Sequence, residues 1–265
     1  MYSMLVNIWK CREFIYSCVK REFLAKYQGS VMGIAWSVFQ PLSMIIVYTV
    51  IFSNVMQSKL AGMESMAYSY SIYLCAGLLP WGFFCEILQN CSNVFLANAN
   101  LMKKVSFPRI CLPVITVCSA FLNFIIGFAL FAAFMAIIGH FPIHSFWKFL
   151  VLLGIQTLLS VALGISLGVL NVFFRDVGQM LNIVLQFWFW FTPIIYPLNI
   201  IPAQFQWLMS LNPMYHIVKG YQSVFLYDRV DGFFGAAVVL VLGLVIGAWA
   251  LHLYRQHVGE LVDEL

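Results

Sequence analysis

The sequence predicts an all-α polytopic membrane protein with six transmembrane helices. Three observations carry that expectation. Of 265 residues, 63% are apolar and only 9% are charged, whereas a soluble domain needs about 25% charged residues to solvate its surface. Mean hydropathy is +0.91. Apolar stretches also recur at about 17–25 residues, the length that crosses a bilayer. Lipid is therefore the solvent for most of the chain. The net charge of +4 carries no meaning as a total, because only its distribution between loops matters. Basic residues never form a dense stripe, which excludes a nucleic-acid partner.

The first element is not a span. Residues 1–31 contain Lys10, Arg12, Glu13, Lys20, Arg21, Glu22 and Lys26 among apolar residues, with no apolar run typical of a secretory signal. Within 3–28, Leu5, Ile8, Trp9, Ile15, Tyr16, Val19, Phe23 and Tyr27 recur at helical spacing, opposite Lys10, Glu13, Ser17, Lys20 and Arg21. That pattern predicts an amphipathic helix on the cytoplasmic membrane face, its cations near lipid phosphates.

Six apolar stretches follow, at 32–56, 69–95, 110–138, 147–172, 180–198 and 233–253, and 254–265 form a tail. Leu112–Ile138 and Phe149–Phe174 contain no charge at all. With the N-terminus inside, ten of the fourteen Lys and Arg side chains lie on the cytoplasmic side. Lys59, Lys148, Lys219 and Arg229 lie outside, and the positive-inside bias then places both termini in the cytoplasm. Val177–Val218 is unusual, since it runs forty-two residues without a charge and contains Pro193, Pro197, Pro202 and Pro213. The prolines forbid one continuous second helix there. Short helices dipping back into the outer leaflet are expected, and irregular backbone at that depth needs protein or water to cover it.

Candidate chemistry is sparse. The connection 98–108 is short, basic and apolar by turns; a helix there could present Leu101, Met102, Val105 and Phe107 to a groove on a partner. Its cations Lys103, Lys104 and Arg109 could instead merely fix topology. Glu86, an acid inside the second stretch, must face a cation or a lumen. Asp228-Arg-Val-Asp231-Gly232 begins like the motif of a membrane phosphotransferase, but no further Asp follows until Asp263, and such chemistry needs several carboxylates around metal ions. His140 and His144 are separated by Pro142, so they share no helix face. Seven cysteines, at 11, 18, 75, 85, 91, 111 and 118, show no paired-ligand spacing and read as small apolar residues. No G-x-x-x-x-G-K-S/T phosphate loop exists, so ATP hydrolysis would require another chain.

Aromatic residues make up 17% of the chain. Phe187-Trp188-Phe189-Trp190-Phe191 fills the fifth stretch and Leu79-Pro80-Trp81-Gly82-Phe83-Phe84 lies in the second. Five consecutive aromatics point all round a helix. Those facing a lumen could stack on the C–H faces of sugar rings; those facing neighbours would be packing.

Several local sequences, in order, resemble the ABC-2-type permeases that export polysaccharides. Phe23-Leu-Ala-Lys26-Tyr27-Gln28-Gly29-Ser30-Val-Met-Gly33-Ile-Ala-Trp36, then Gln40-Pro41 and Tyr48, is similar to the family's start. Lys26 stands where Arg is common and Gln28 where a basic residue is common. The resemblance continues through Phe173-Phe174-Arg175-Asp176-Val177, Thr192-Pro193-Ile-Ile-Tyr196-Pro197, and Asn212-Pro213-Met-Tyr-His216 to Gln222.

The resemblance implies a homodimer paired with two ATP-binding-cassette subunits. Those subunits would bind ATP and Mg, and this chain would need no cofactor or metal of its own and catalyse nothing. It also implies a six-span domain over 32–253 after the interfacial helix, a coupling helix at 98–108 and outer gate helices at 199–226. The coupling residues would be Asn100, Leu101, Met102, Lys103, Val105, Phe107, Arg109 and Arg175. A substrate path would draw on Trp36, Tyr48, Trp81, Phe187, Trp188, Trp190 and Phe191. The implied cargo is an undecaprenyl-linked polysaccharide crossing the cytoplasmic (inner) membrane, with O-antigen of lipopolysaccharide first and group 2 capsule or teichoic acid as alternatives. A small-molecule ABC-2 exporter and a membrane-embedded phosphotransferase are more distant rivals.

Overall fold

A backbone that lies in lipid must satisfy its own polar groups, and helices do this within one segment. The computed structural model describes residues 9, 11–51, 68–104, 107–227 and 233–259, and no strand occurs among them. Val105, Asp228, Asp231, residues 3–8 of the amphipathic segment and 260–265 of the tail lie outside the described residues.

Helix α1 spans Arg12–Ala25, and a single 3-10 turn at Gly33–Ala35 leads into α2, Trp36–Tyr48. The long α3, Ser69–Ala97, is followed by the short α4, Ala99–Lys104. Helices α5 (Cys111–Ile138) and α6 (Phe146–Phe173) pair with α3 as the centre of the bundle. Then come α7 (Val177–Trp190), α8 (Ala203–Ser210), α9 (Pro213–Tyr227) and α10 (Phe233–His257). Gly139, in the left-handed conformation at φ 77°, ends α5 as glycine readily can.

Among the described residues, five helices are long and apolar enough to cross a membrane: Gly33–Ile51, Ser69–Ala97, Cys111–Ile138, Phe146–Phe173 and Phe234–His257. The expected span over 180–198 differs. Its helix, α7, has 14 residues, about 21 Å at 1.5 Å per residue, against a hydrocarbon core of about 30 Å. Pro193 explains the stop, because it has no N–H to donate back into a continuing helix.

The centre of the bundle is closed by small and polar residues rather than by bulk. Along α6, Gln156, Ser160, Gly164, Gly168 and Asn171 are spaced about one turn apart, and all five are buried. Gln156 Nε2 donates to the Pro80 carbonyl at 2.7 Å and Asn171 Nδ2 to the Ser92 carbonyl at 2.9 Å. At Gly168 a Cβ would sit 2.5 Å from the Cys91 carbonyl oxygen, and at Gly164 2.7 Å from Cys91 Cβ. Small residues permit this close approach, and interhelical hydrogen bonds hold it where burial of apolar surface gives no drive between helices already in lipid. Farther along, Phe128 and Phe149 stack at 4.4 Å, and Phe225 of α9 meets Phe131 edge-on at 5.3 Å. These aromatics are packing.

Helix α1 lays Ile15, Cys18 and Val19 on Cys111 and Ile115 at the start of α5. The two cysteine pairs, 11/18 and 111/118, meet along this seam, and all seven cysteines are unpaired thiols. Burial pushes the Cys18 thiol above its ordinary value, with Arg21 pulling it the other way. That suits a packing role, since the nucleophile is the thiolate. At the same end of the bundle, Phe95 of α3 stacks on Tyr254 near the end of α10 at 6.2 Å. The beginning and the end of the described chain therefore share one end.

Candidate functional site: an amide-lined face and an interrupted fifth helix

The polar residues least expected in a bilayer collect on one side of the protomer. Gln40 of α2, Gln89, Asn90 and Asn93 of α3, and Asn182 and Gln186 of α7 are all exposed. Gln89 Nε2 donates to Asn182 Oδ1 at 3.0 Å, which ties α3 to α7 across this face. Exposed amides at membrane depth are costly against lipid and are found facing a bundle interior or water. Behind them, Glu86 accepts from Asn123 Nδ2 at 2.5 Å and pairs with Lys26 Nζ at 3.7 Å. Glu22 Oε2 accepts from Ser119 Oγ at 2.7 Å. The single acid of the second stretch is thus paired with a cation.

The aromatic run divides into two sets. Phe187 is 65% exposed, Trp190 58% and Phe191 49%, continuing a stripe begun by Met180, Ile183 and Val184. Trp188 turns the other way, packing against Phe84 at 5.3 Å and Trp81 at 6.4 Å. Trp81 is itself buried. Trp81 and Trp188 are therefore inside the protomer, while Phe187, Trp190 and Phe191 line its outside. Trp36 of α2 is exposed, and Tyr48 is half-buried against the core. Of the aromatics expected on a path, Trp36, Phe187, Trp190 and Phe191 are open and Trp81 and Trp188 are closed off.

Where α7 ends, Asn212 organises the backbone. Its Oδ1 accepts from Trp188 Nε1 at 2.7 Å and from the Met214 N–H at 3.0 Å, the second capping the start of α9. Its Nδ2 donates to Thr192 Oγ1 at 2.8 Å and to the Phe191 carbonyl at 3.1 Å. From α3, Tyr73 Oη donates to the carbonyls of Pro193 at 3.1 Å and Tyr196 at 2.9 Å, and Tyr70 Oη donates to that of Ile195. Irregular backbone that helical bonding would have satisfied is answered here by side chains. The sequence signal was present, as an Asn-Pro helix start beside a Pro-interrupted span. The tyrosine donors could not be found that way, because they lie about 120 residues upstream.

The connection after α3 is arranged differently from the expected partner-facing apolar surface. Met102 is 7% exposed, in a cluster with Phe95, Val172 and Tyr254, and Leu101 and Phe107 pack against the same cluster. Phe107 also meets Phe14 of α1 at 5.5 Å. Among the side chains described on α4, Asn100 and Lys103 are open. Arg109 is half-buried, and Arg175 is exposed beside Phe174 and Asp176 at the α6–α7 corner. Asn171, buried below that corner, accepts from the Gly178 N–H at 3.0 Å and donates to Asn93 Oδ1 at 3.1 Å, joining α3, α6 and α7. Among the described residues, no group of His, Cys, Asp and Glu is placed to hold a metal.

A polar face and an interrupted helix in a multi-pass helical protein are features of transport pathways. The chain is a member of the ABC-2 type transporter family, whose model matches residues 13–226. It is a transporter membrane subunit and not an enzyme. It is similar to the O-antigen export system permease protein RfbA of Klebsiella pneumoniae, 26% identical over 96% of this chain and 95% of that protein. The RfbA of Myxococcus xanthus is 28% identical over 87% and 86%. The polysialic acid transport protein KpsM of Escherichia coli is 24% identical over 75% and 76%.

Proposed function

We propose that this chain is the membrane half of an ABC exporter that moves an undecaprenyl-linked polysaccharide, O-antigen in the first instance, out across the cytoplasmic membrane. The observation that carries transport is the amide-lined face beside the short α7: exposed amides and broken backbone at membrane depth require water or protein over them. A second copy of this chain, placed against α2 and α7, would enclose that face as a path. Phe187, Trp190 and Phe191 would then offer ring faces to a sliding glycan, with Trp36 near the entrance. The cargo class follows from the similarity to the O-antigen export permeases over nearly the whole chain. Similarity to the polysialic acid transport protein keeps a capsule polymer as the second reading.

In this reading both termini are cytoplasmic, α1 lies along the membrane face, and two cassette subunits bind ATP and Mg. Closure of those subunits pushes on the exposed Asn100 and Lys103, and on Arg175 at the neighbouring corner. The packed Leu101, Met102 and Phe107 pass that movement into α3, α6 and α1. Residues 199–226 act as the outer gate, with the Asn212 network as its hinge on α7.

Deleting the chain from its own strain tests the reading. O-polysaccharide should vanish from the surface while lipid-linked polymer accumulates inside. Unchanged O-polysaccharide with a lost capsule would select the second reading, and no change in either polymer would refute both. The isolated chain should show no ATPase activity until a cassette subunit is added.

A further inference from the structure

Between α1, α2, α3 and α5 lies an open cavity of about 990 Å³, at the upper end of the size of small-molecule sites. Within the proposed exporter, we infer that this cavity binds uncharged, hydroxyl-rich sugar units of the glycan, and not its diphosphate-bearing end. The inference rests on the export reading and concerns which part of the cargo sits here.

Amides furnish much of the cavity's polar wall, with Gln40, Gln89, Asn90, Asn93 and Asn123 contributing from three helices. Among the described residues that line it, the charged ones are Glu22, Lys26 and Glu86, two acids against one cation, so their formal sum is −1. The one ammonium is already engaged, 3.7 Å from Glu86. A diphosphate only accepts hydrogen bonds and calls for Arg or Lys donors; two carboxylates would repel it. A sugar hydroxyl both donates and accepts, and amides beside carboxylates offer both functions at close spacing.

The carboxylates are held in place: Asn123 fixes Glu86, and Ser119 fixes Glu22. Leu78, Leu79, Phe83 and Phe124 add apolar wall to the cavity. Through the Gln89–Asn182 hydrogen bond the cavity joins the α7 face that carries the open aromatics, so sugars held here stand beside the proposed path.

The test uses the full chain assembled with its cassette partner in lipid nanodiscs, and two probes that are the halves of the cargo. One is the glycan released by mild acid from the strain's lipid-linked polymer; the other is undecaprenyl diphosphate. Saturation-transfer NMR titrations of the glycan, and competition binding of the lipid, should both detect binding to the unaltered complex. Asn90→Leu with Gln40→Leu should weaken glycan binding at least tenfold and leave undecaprenyl diphosphate binding within twofold. Asn90→Ser alone, a milder change, should weaken the glycan about threefold and serves should the double variant fail to assemble.

Glycan binding unchanged in these variants, or absent in the unaltered complex, overturns the inference. So does an equal loss of both probes, or a tenfold loss of undecaprenyl diphosphate binding in Lys26→Gln. None of these results touches the export reading, which stands or falls on the surface polymer of the deletion strain.

Discussion

Helices α3 and α7 carry comparable aromatic clusters and similar apolarity, yet the bundle uses them in opposite ways. On α3, Trp81, Phe83 and Phe84 are all buried, and the helix is enclosed by α5, α6 and α9. On α7, Leu181 and Leu185 are buried while Ile183, Phe187 and Trp190 stand open. The difference teaches that hydropathy identifies the solvent, lipid, but not the neighbour. A Phe facing lipid, a second copy or the core is equally apolar in each case. What distinguishes the two helices is the polar and small residues around them: Gln156, Gly164, Gly168 and Asn171 close on α3, whereas Gln89 and Asn182 bond to each other on an exposed face and Gln186 stands open beside them.

The comparison breaks most readily at its most crowded point. Gly168→Val would drive a branched side chain into the Cys91 carbonyl, whose oxygen stands 2.5 Å from the added Cβ. Backbone cannot yield there as a flexible side chain can, and overpacking costs typically about 1–3 kcal/mol and occasionally more. The α3–α6 pair should separate and folded protein should be lost, measured as membrane abundance and as the detergent melting temperature. Unchanged abundance would mean that this contact does not hold the bundle together; the same change at Gly154, where a Cβ meets nothing within 4 Å, is the control.

The next effect sets the two faces of one aromatic run against each other. Trp188→Ala removes a ring packed on Trp81 and Phe84 and breaks the bond to Asn212. A loss of about 3–5 kcal/mol is typical of such a truncation, and it should appear as reduced protein. Phe187→Ala and Trp190→Ala truncate exposed rings, Trp190 giving up only an edge contact with Phe189 at 5.6 Å, so abundance should hold while surface polysaccharide falls. If all three variants lose export only in proportion to protein, the outward aromatics do not form a path.

How much of this was legible in the sequence follows the same division. The spans of α3, α5, α6 and α10 could be read because long uncharged runs admit no other solvent. The pairing of Glu86 with a cation was also legible, from the cost of an isolated carboxylate in the membrane. The fifth span could not be sized, because Pro193 marks where a helix stops without saying what satisfies the freed backbone. That answer lies in Tyr70, Tyr73 and Asn212, distant in sequence. The Gln156–Asn171 stripe was present at helical spacing, but glycine and serine hardly change a hydropathy average and so went unread. The connection after α3 misled for another reason: in a six-residue helix, orientation is set by tertiary packing, and Met102 turned inward.

That inward turn leaves the smallest expected effect to the open side chains of α4. Met102→Ala should lower stability by about 2–5 kcal/mol, as for other buried Met or Leu truncations, and would therefore reveal little about coupling. Asn100→Ala and Lys103→Ala act on open side chains, where single surface contacts contribute about 0–1 kcal/mol. If α4 bears on the cassette subunits through these two residues, the double variant should leave abundance and melting temperature unchanged. Stimulation of the partner's ATPase should fall by up to about fivefold, since 1 kcal/mol is close to that factor at 25 °C, and the difference from the unaltered chain should narrow at higher salt if the Lys103 charge contributes, because salt screens the charge that only the unaltered chain carries. Should stimulation stay unchanged in the double variant, while Arg175→Ala lowers it, the corner after α6 rather than the short helix after α3 would be the surface that receives the push.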